Sequence, residues 1–517
     1  MKKIRILWTD DEIEFLKAHI IFLEEKGYEI LTASNADDAL KKIKEQDLDL
    51  VFLDENMPGR GGLDILPEIK SLVPETPVVM ITKSEEENIM EEAIGAQIDD
   101  YLIKPVNPKQ ILLTIKKFID QKKLVSEKTI NSYQTEFGKI GILINQADSI
   151  SDWIDIYKKL VHWELELEKS DTSGMNEVLQ MQNTEATQEF SKFIKKNYSG
   201  WLDGSLETPF MSPDIFKQEI FPLLDEGTNV VFLLIDNLRY DQWKTIAPSL
   251  QDYFSIEKEE LFCSILPTAT QYARNAIFSG LLPVEIQRKY PNWWFNDDDD
   301  EGKNQYEQEL LRELLVRSGR NTSFHYEKIT NLDAGKKFSE QLANYLNHPL
   351  VAVVYNFVDM LSHARTDSNM IRELAADEKA YRSLTLSWFQ NSYLFDVLKF
   401  LSGQNVKVVL TTDHGTIRVQ RALKVIGDRK TSANLRYKTG RNLDYNPGAV
   451  FEIKDPEKAG LPKANVSSRY IFANNDDFFA YPNNYNHYVK YYKDTFQHGG
   501  ISLQEMLIPL VVLTPKI

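Results

Sequence analysis

At 517 residues, with a net charge of −17 and a pI near 5.1, the chain is too long for one ordinary domain and too acidic for a broad duplex-DNA footprint. A hydrophobic share of 42% supports substantial cores and excludes a disordered chain. The single cysteine, Cys263, excludes an intrachain disulfide framework and fits a reducing compartment.

The amino-terminal run has a charge inside it and reaches acidic residues at once, so it does not read as a secretion signal. No apolar stretch is long enough to span a bilayer. The expectation is a cytoplasmic protein with no membrane insertion.

Residues 1–120 alternate strand-like and helix-like runs: Ile4–Thr9, Glu14–Lys26, Tyr28–Ala33, Ala36–Lys44, Leu48–Leu53, Leu63–Leu72, Pro77–Ile81, Glu85–Ala93, Tyr101–Ile103 and Lys109–Ile119. Such βα alternation predicts an α/β module with a doubly wound parallel sheet. Polar residues sit at the strand ends. Asp10 and Asp11 follow the first strand, Asp54 the third, Thr82 the fourth and Lys104 the fifth. Three crowded carboxylates need a cation, and Mg²⁺ suits an all-oxygen site. With the ion bound, one carboxylate can attack a phosphoryl group while Lys104 and Thr82 hold its oxygens. Incidental acids at loop starts are the competing explanation, and the full Asp-Asp, Asp, Thr, Lys-Pro order argues against it.

This module resembles the receiver domain of bacterial response regulators, which implies a flavodoxin-like fold. By that resemblance Asp54 is the phospho-acceptor, and Asp10, Asp11, Asp54 and the Asn56 carbonyl bind Mg²⁺. Thr82 and Tyr101 match the switch pair, and Lys104 the phosphate-binding lysine. A sensor histidine kinase is the implied partner, with a homodimer on phosphorylation. No basic helix-turn-helix segment follows, so DNA binding is not the expected output.

Residues 121–204 form a spacer without proline and rich in helix formers. Ile154, Leu160 and Trp163 mix with Lys158, Lys159 and Glu164 at helical spacing, and breaks fall at 146–149 and 170–174. A helical bundle is predicted, with Trp153 and Trp163 in its core and coupling as its role.

In residues 205–517, three strand-like runs end in acids. Val231–Ile235 precedes Asp236, Val351–Val358 precedes Asp359, and Val408–Leu410 leads through two threonines to Asp413 and His414. Carboxyl ends of parallel strands share one edge of a sheet, so these groups are expected to converge on a metal. Asp359 and His363 stand four apart, close enough for one ion if a helical turn starts there. His498 lies in a glycine bend before the apolar run Met506–Leu513. Thr270 opens a helix-like segment that closes at Gly280. It either presents its hydroxyl where a helix amino terminus favours an anion, or serves as an N-cap.

Arg436-Tyr437-Lys438-Thr-Gly-Arg441 gathers cations and an aromatic, which suits phosphate binding and base stacking or, equally, a solvated basic turn. Arg274 and Asn275, one turn past Thr270, are candidates to touch a substrate phosphate. The acidic run Asp297–Asp300 with Glu301 lacks Ca²⁺-loop spacing and reads as a mobile acidic loop.

The order Asp236, Thr270, Asp359-x-x-x-His363, Asp413-His414, His498-Gly-Gly resembles the alkaline phosphatase superfamily. Joined to the receiver-like module, the chain resembles PorX-type response regulators, whose PglZ-type effector serves type IX secretion. The resemblance implies an alkaline-phosphatase-like α/β/α effector over residues 205–517 that binds two Zn²⁺. One would be held by Asp359, His363 and His498, the other by Asp236, Asp413, His414 and the Thr270 oxygen. Thr270 would be the nucleophile of a phosphodiesterase acting on oligonucleotides or cyclic nucleotides. Two alternatives stay open: a phosphorylation-switched regulator with structural zinc that docks a sigma factor or type IX secretion component, and a phosphomonoesterase.

Overall fold

The computed structural model describes residues 4–83, 98–169, 173–297, 302–427, 431–463, 465 and 467–516, except for the side chains of 120–128, 173, 363–365, 367 and 369. The described chain divides into two compact units, one up to residue 133 and one from 134 onward.

In the first unit, strands β1 (Arg5–Thr9), β2 (Glu29–Ala33), β3 (Leu50–Asp54), β4 (Val78–Thr82) and β5 (Asp100–Ile103) form one parallel sheet in the order β2-β1-β3-β4-β5. This is the flavodoxin-like order. Side chains alternate across a strand, so a sheet covered on both faces needs apolar residues at every position. β3 meets that demand with Leu50, Val51, Phe52 and Leu53, all fully buried. Val51 and Leu53 join one core with Leu7, Ile65 and Leu66, while Leu50 and Phe52 join the other with Ile6, Trp8 and Ile111. The helix expected over residues 85–93 lies outside the described residues.

Three long helices follow: Gln121–Gln146, Ile150–Glu168 and Ser173–Asp203. The second opens with a reciprocal cap. Asp152 N–H donates to Ser149 Oγ (3.2 Å) and Ser149 N–H donates to Asp152 Oδ2 (3.0 Å). Trp153, 1% exposed, packs edge-on to Phe190 of the third helix.

The rest of the second unit is built on β6 (Val230–Ile235), β7 (Phe254–Cys263), β8 (Phe324–Ile329), β9 (Leu350–Tyr355) and β10 (Lys407–Thr411), joined by β18 (Leu507–Pro515). The order is β7-β18-β10-β6-β9-β8. β10, β6, β9 and β8 run parallel, and β18 and β7 add antiparallel to one side. A smaller layer sits between β10 and β18 in sequence. There β11 (Ile417–Arg418) pairs β17 (Phe496–Gln497), and β12 (Arg421–Lys424) pairs β16 (Asp477–Ala480). β13 (Tyr437–Gly440), β14 (Val450–Ile453) and β15 (Arg469–Ala473) make a separate sheet. One element differs from expectation. The apolar run to Val358 is not all strand: β9 stops at Tyr355, and helix Phe357–Asp367 starts two residues later.

Candidate metal centre and receiver pocket

β10, β6 and β9 are consecutive in the sheet, and their register pairs Leu234 with Thr411 and Ile235 with Tyr355. Three chain ends therefore leave the sheet side by side. Asp236 is the first residue beyond β6, Asp413 and His414 come two and three beyond β10, and Asp359 sits in the first turn of the helix after β9. Asp236, Asp413 and His414 are 1%, 0% and 0% exposed, and one ligand atom from each lies within 4.8 Å of the others. His498 arrives from the β17 end, with Nε2 3.8 Å from Asp359 Oδ1 and its ring stacked 4.2 Å from that of His414.

Both imidazoles are held with Nε2 towards the site. His414 Nδ1 lies 3.1 Å from the Gly415 carbonyl and His498 Nδ1 3.1 Å from the Thr268 carbonyl. A carbonyl only accepts, so each Nδ1 carries its proton and each Nε2 keeps a lone pair, the tautomer a metal ligand needs. Thr270 Oγ1 stands 3.1 Å from His414 Nε2. The N-cap of helix Thr270–Ser279 is Ala269, so Thr270 is the first helical residue and its hydroxyl is not the cap.

Asn237 ties the two halves together, and the sequence reading missed it. Its N–H donates to Asp413 Oδ1 and its Nδ2 to Asp359 Oδ1, both at 3.3 Å. Its φ of 66° is the left-handed conformation that asparagine tolerates better than most side chains. An Asp-Asn pair directly after a buried strand was the available signal.

Several residues read as substrate contacts are placed elsewhere. Arg274 is fully buried and ion-paired to Asp236, to Asp413 (Nε to Oδ2, 2.9 Å) and to Glu307, so it balances carboxylate charge rather than facing a ligand. Asn275 is 1% exposed and donates to the Lys303 carbonyl at 3.2 Å. Arg436 is fully buried against Glu505, Tyr437 donates to Asp297 Oδ1 at 2.7 Å, and Lys438 donates to the Ser432 carbonyl at 2.7 Å. Arg441 is exposed beside the turn residue Asn442. The expected basic strip is therefore mostly interior structure, with Arg436 bound to Glu505 far along the chain and Lys438 to a carbonyl close by. Residues 298–301 of the acidic run and the His363 side chain lie outside the described residues; the backbone places position 363 four residues past Asp359 on one helix.

The site is short of positive charge. Burial pushes the Asp236 carboxyl well above the usual range; Arg274 opposes this, and Asp413 and Asp359 add to it. Burial also works against Asp413, yet Arg274 holds it well below the usual range. Asp236 Oδ1 has no hydrogen-bond partner although it is buried. An orphaned carboxylate oxygen beside two imidazole Nε2 atoms fits a divalent cation of zinc type.

In the first unit Asp10, Asp11 and Asp54 form a comparable group. Lys104 Nζ is 2.9 Å from both Asp10 Oδ2 and Asp54 Oδ1. Burial raises the Asp54 carboxyl to about 6, with Lys104 opposing and Asp10 adding to the rise. Thr82 is buried and donates to Glu55, a residue the sequence reading did not single out. Asn56 is exposed, and Tyr101 is 38% exposed on β5.

Residues 6–116 match the response regulator receiver domain, 123–202 the PorX response regulator linker domain, and 215–513 the BREX system PglZ alkaline phosphatase-like domain. Among curated proteins, ResD of Bacillus subtilis, a transcriptional regulatory protein, is 35% identical over 112 residues, 22% of this chain and 46% of that protein. AlgB of Pseudomonas aeruginosa, an alginate biosynthesis transcriptional regulatory protein, is 34% identical over 125 residues, 24% of this chain and 28% of that one. The chain thus spans less than half the length of these relatives. Solved structures that resemble it include a CheY-like receiver from Methanospirillum hungatei JF-1, with 31% identity and a TM-score of 0.23, covering 23% of this chain and 96% of that one. The NtrX receiver of Brucella abortus has 34% identity and a TM-score of 0.21, covering 22% of this chain and 98% of that one.

Fold, site and matches together define a two-component response regulator with an alkaline-phosphatase-like effector. The chain belongs to the PglZ alkaline phosphatase-like family, in the PorX-type arrangement of receiver, linker and PglZ domain. No helix among the described residues is long and apolar enough to cross a membrane.

Proposed function

We propose that the effector is a zinc-dependent phosphodiesterase with Thr270 as nucleophile, and that phosphorylation of Asp54 controls it. The observation that carries this is the meeting of Thr270 Oγ1 with Nε2 of His414, 3.1 Å away, beside the Oδ1 atom of Asp236 that has no hydrogen-bond partner. Asp236, Asp413, His414 and the Thr270 oxygen would hold one Zn²⁺; Asp359, His363 and His498 would hold the other. When bound, such ions supply Lewis-acid stabilisation of attacking and leaving oxygens and lower the pKa of coordinated hydroxyls. Thr270 Oγ attacks phosphorus as the bond to the leaving oxygen breaks, and water then cleaves the Thr270–phosphate ester. Asn237 holds Asp413 and Asp359 in place, and Arg274 keeps Asp413 ionised.

The substrate class we assign is oligonucleotides or cyclic nucleotides, and the setting is cytoplasmic control of type IX secretion; the match to the PorX linker supports the latter. In the receiver, Asp10, Asp11, Asp54 and the Asn56 carbonyl would hold Mg²⁺, and Lys104 would hold the phosphoryl oxygens. Thr270→Ala should lower hydrolysis of bis-p-nitrophenyl phosphate at least about 10³-fold, with zinc content by atomic absorption largely retained. Wild-type-like turnover in that variant would remove Thr270 from the chemistry. Faster cleavage of the monoester than of the diester by the parent would make the effector a phosphomonoesterase.

A further inference from the structure

A cleft of about 560 Å³ lies between the linker helix Ile150–Glu168 and the effector helices Tyr240–Ile246 and Glu378–Gln390. None of the proposed metal ligands lines it. Its charge runs against that of the chain: Lys158, Lys169, Lys244, Lys379 and Arg382 face Glu166 and Glu168, within a protein of net charge −17.

Some of those cations are already neutralised. Lys169 pairs with Glu166 at 2.6 Å and Lys244 with Glu259 at 3.1 Å, whereas Lys158 and Lys379 make no ion pair among the described residues. Solvated lysines would not by themselves make a site. Arg382 does more, because it is 2% exposed, lines the cleft, and its Nε has no hydrogen-bond partner. Apolar groups share the lining: Val161, Leu165, Pro248 and the Tyr240 ring. Cations and apolar groups lining one cleft of this size suit a ligand with an anionic end and a flat uncharged end.

We propose that this cleft binds a phosphorylated small molecule of nucleotide size and reports its presence to the metal centre. Lys158 and Lys379 take the phosphates, and the apolar groups take the base. The report runs through a buried ionic network. Arg382 ties Glu164 and Glu168 of the linker to Asp241 of the effector, with Arg382 Nη1 2.7 Å from Asp241 Oδ2. Asp241 in turn grips Arg239, with Arg239 Nε 2.8 Å from Asp241 Oδ1. Arg239 lies over the Tyr381 and Phe496 rings, 5.8 and 5.5 Å from their centroids. It is three residues from Asp236, and Phe496 is two from His498, so anything that draws Arg382 away from Asp241 loosens the packing behind two proposed metal ligands.

The test uses the full-length protein and ADP in equilibrium dialysis, with inorganic pyrophosphate as the second arm. The variant is Lys158→Gln/Lys379→Gln, two accessible positions outside the metal centre. The parent should show a class of ADP site that the double variant loses or binds at least tenfold more weakly, while ADP-free turnover of the diester stays unchanged. Identical ADP stoichiometry and affinity in parent and variant would overturn the site. Pyrophosphate binding as tightly as ADP would overturn the role given to the apolar groups. Saturating ADP should change kcat at least twofold in the parent but not in the variant; an effect confined to KM would overturn the link to the metal centre. Because dialysis reads binding, a failure of the diesterase assignment leaves a different signature from a failure of the cleft.

Discussion

Lys438 shows how far a residue's role can move once its surroundings are known. On the sequence it is one cation of a basic strip; in the fold it is 1% exposed, donates to the Ser432 carbonyl and lies 4.8 Å from the Tyr481 ring centroid. Burial pulls its pKa from 10.5 to about 8. The folded value lies below the unfolded one, so between those limits the unfolded chain binds more protons and stability rises with pH. Below pH 8 both states are charged and the fold carries the whole cost, about 3 kcal/mol for such a shift. Lys438→Met removes that dependence. Its stability relative to the parent should be highest near pH 7 and should fall progressively as pH climbs from 8 towards 10.5. Urea denaturation at pH 7 and 9.5 measures this, and a difference that stays flat with pH would mean the ammonium is better solvated than its burial indicates.

At the scale of elements, the linker gives a direct test of a local signal. Ser149 closes a reciprocal cap on helix Ile150–Glu168, so Ser149→Ala should cost about 1 kcal/mol, read by chemical denaturation. No change would mean that packing of Trp153 and its neighbours fixes the helix start. Elements of this kind were legible because their signals are local: alternating runs give β1 to β5, and helical spacing between two breaks gives the linker helix. The edge where Asp236, Asp413 and His414 meet was legible for a similar reason, since strand ends in a parallel sheet have few places to go. Long-range pairing was not legible. Nothing near Arg436 announces Glu505, 69 positions away, nor does anything near Arg274 announce Asp413. Val358 misled because an apolar run cannot say where strand yields to helix. The site gains from that change, since a helix start puts Asp359 and position 363 on one face.

For the whole molecule, the question is how a charge placed on Asp54 becomes an output. In the structure the Thr82 hydroxyl is committed to Glu55, while Tyr101 stands 38% exposed on β5, at the edge of its sheet. A phosphoryl group on Asp54 adds oxygens that compete for Thr82 and Lys104. Once Thr82 turns from Glu55 towards them, space opens under β5 for the Tyr101 ring to move inward, and the outer face of that edge changes shape and polarity. A changed face is the same on every copy, so a two-fold pair is the simplest assembly that buries it. Acetyl phosphate with Mg²⁺ should therefore shift the sedimenting species from monomer towards dimer. Asp54→Asn should abolish the shift, since the amide cannot accept the phosphoryl group, and Thr82→Ala should weaken it while leaving phosphorylation intact on a phosphate-affinity gel. A mass unchanged by acetyl phosphate in phosphorylated protein would rule out self-association as the output, and control of the effector would then have to pass along the chain itself.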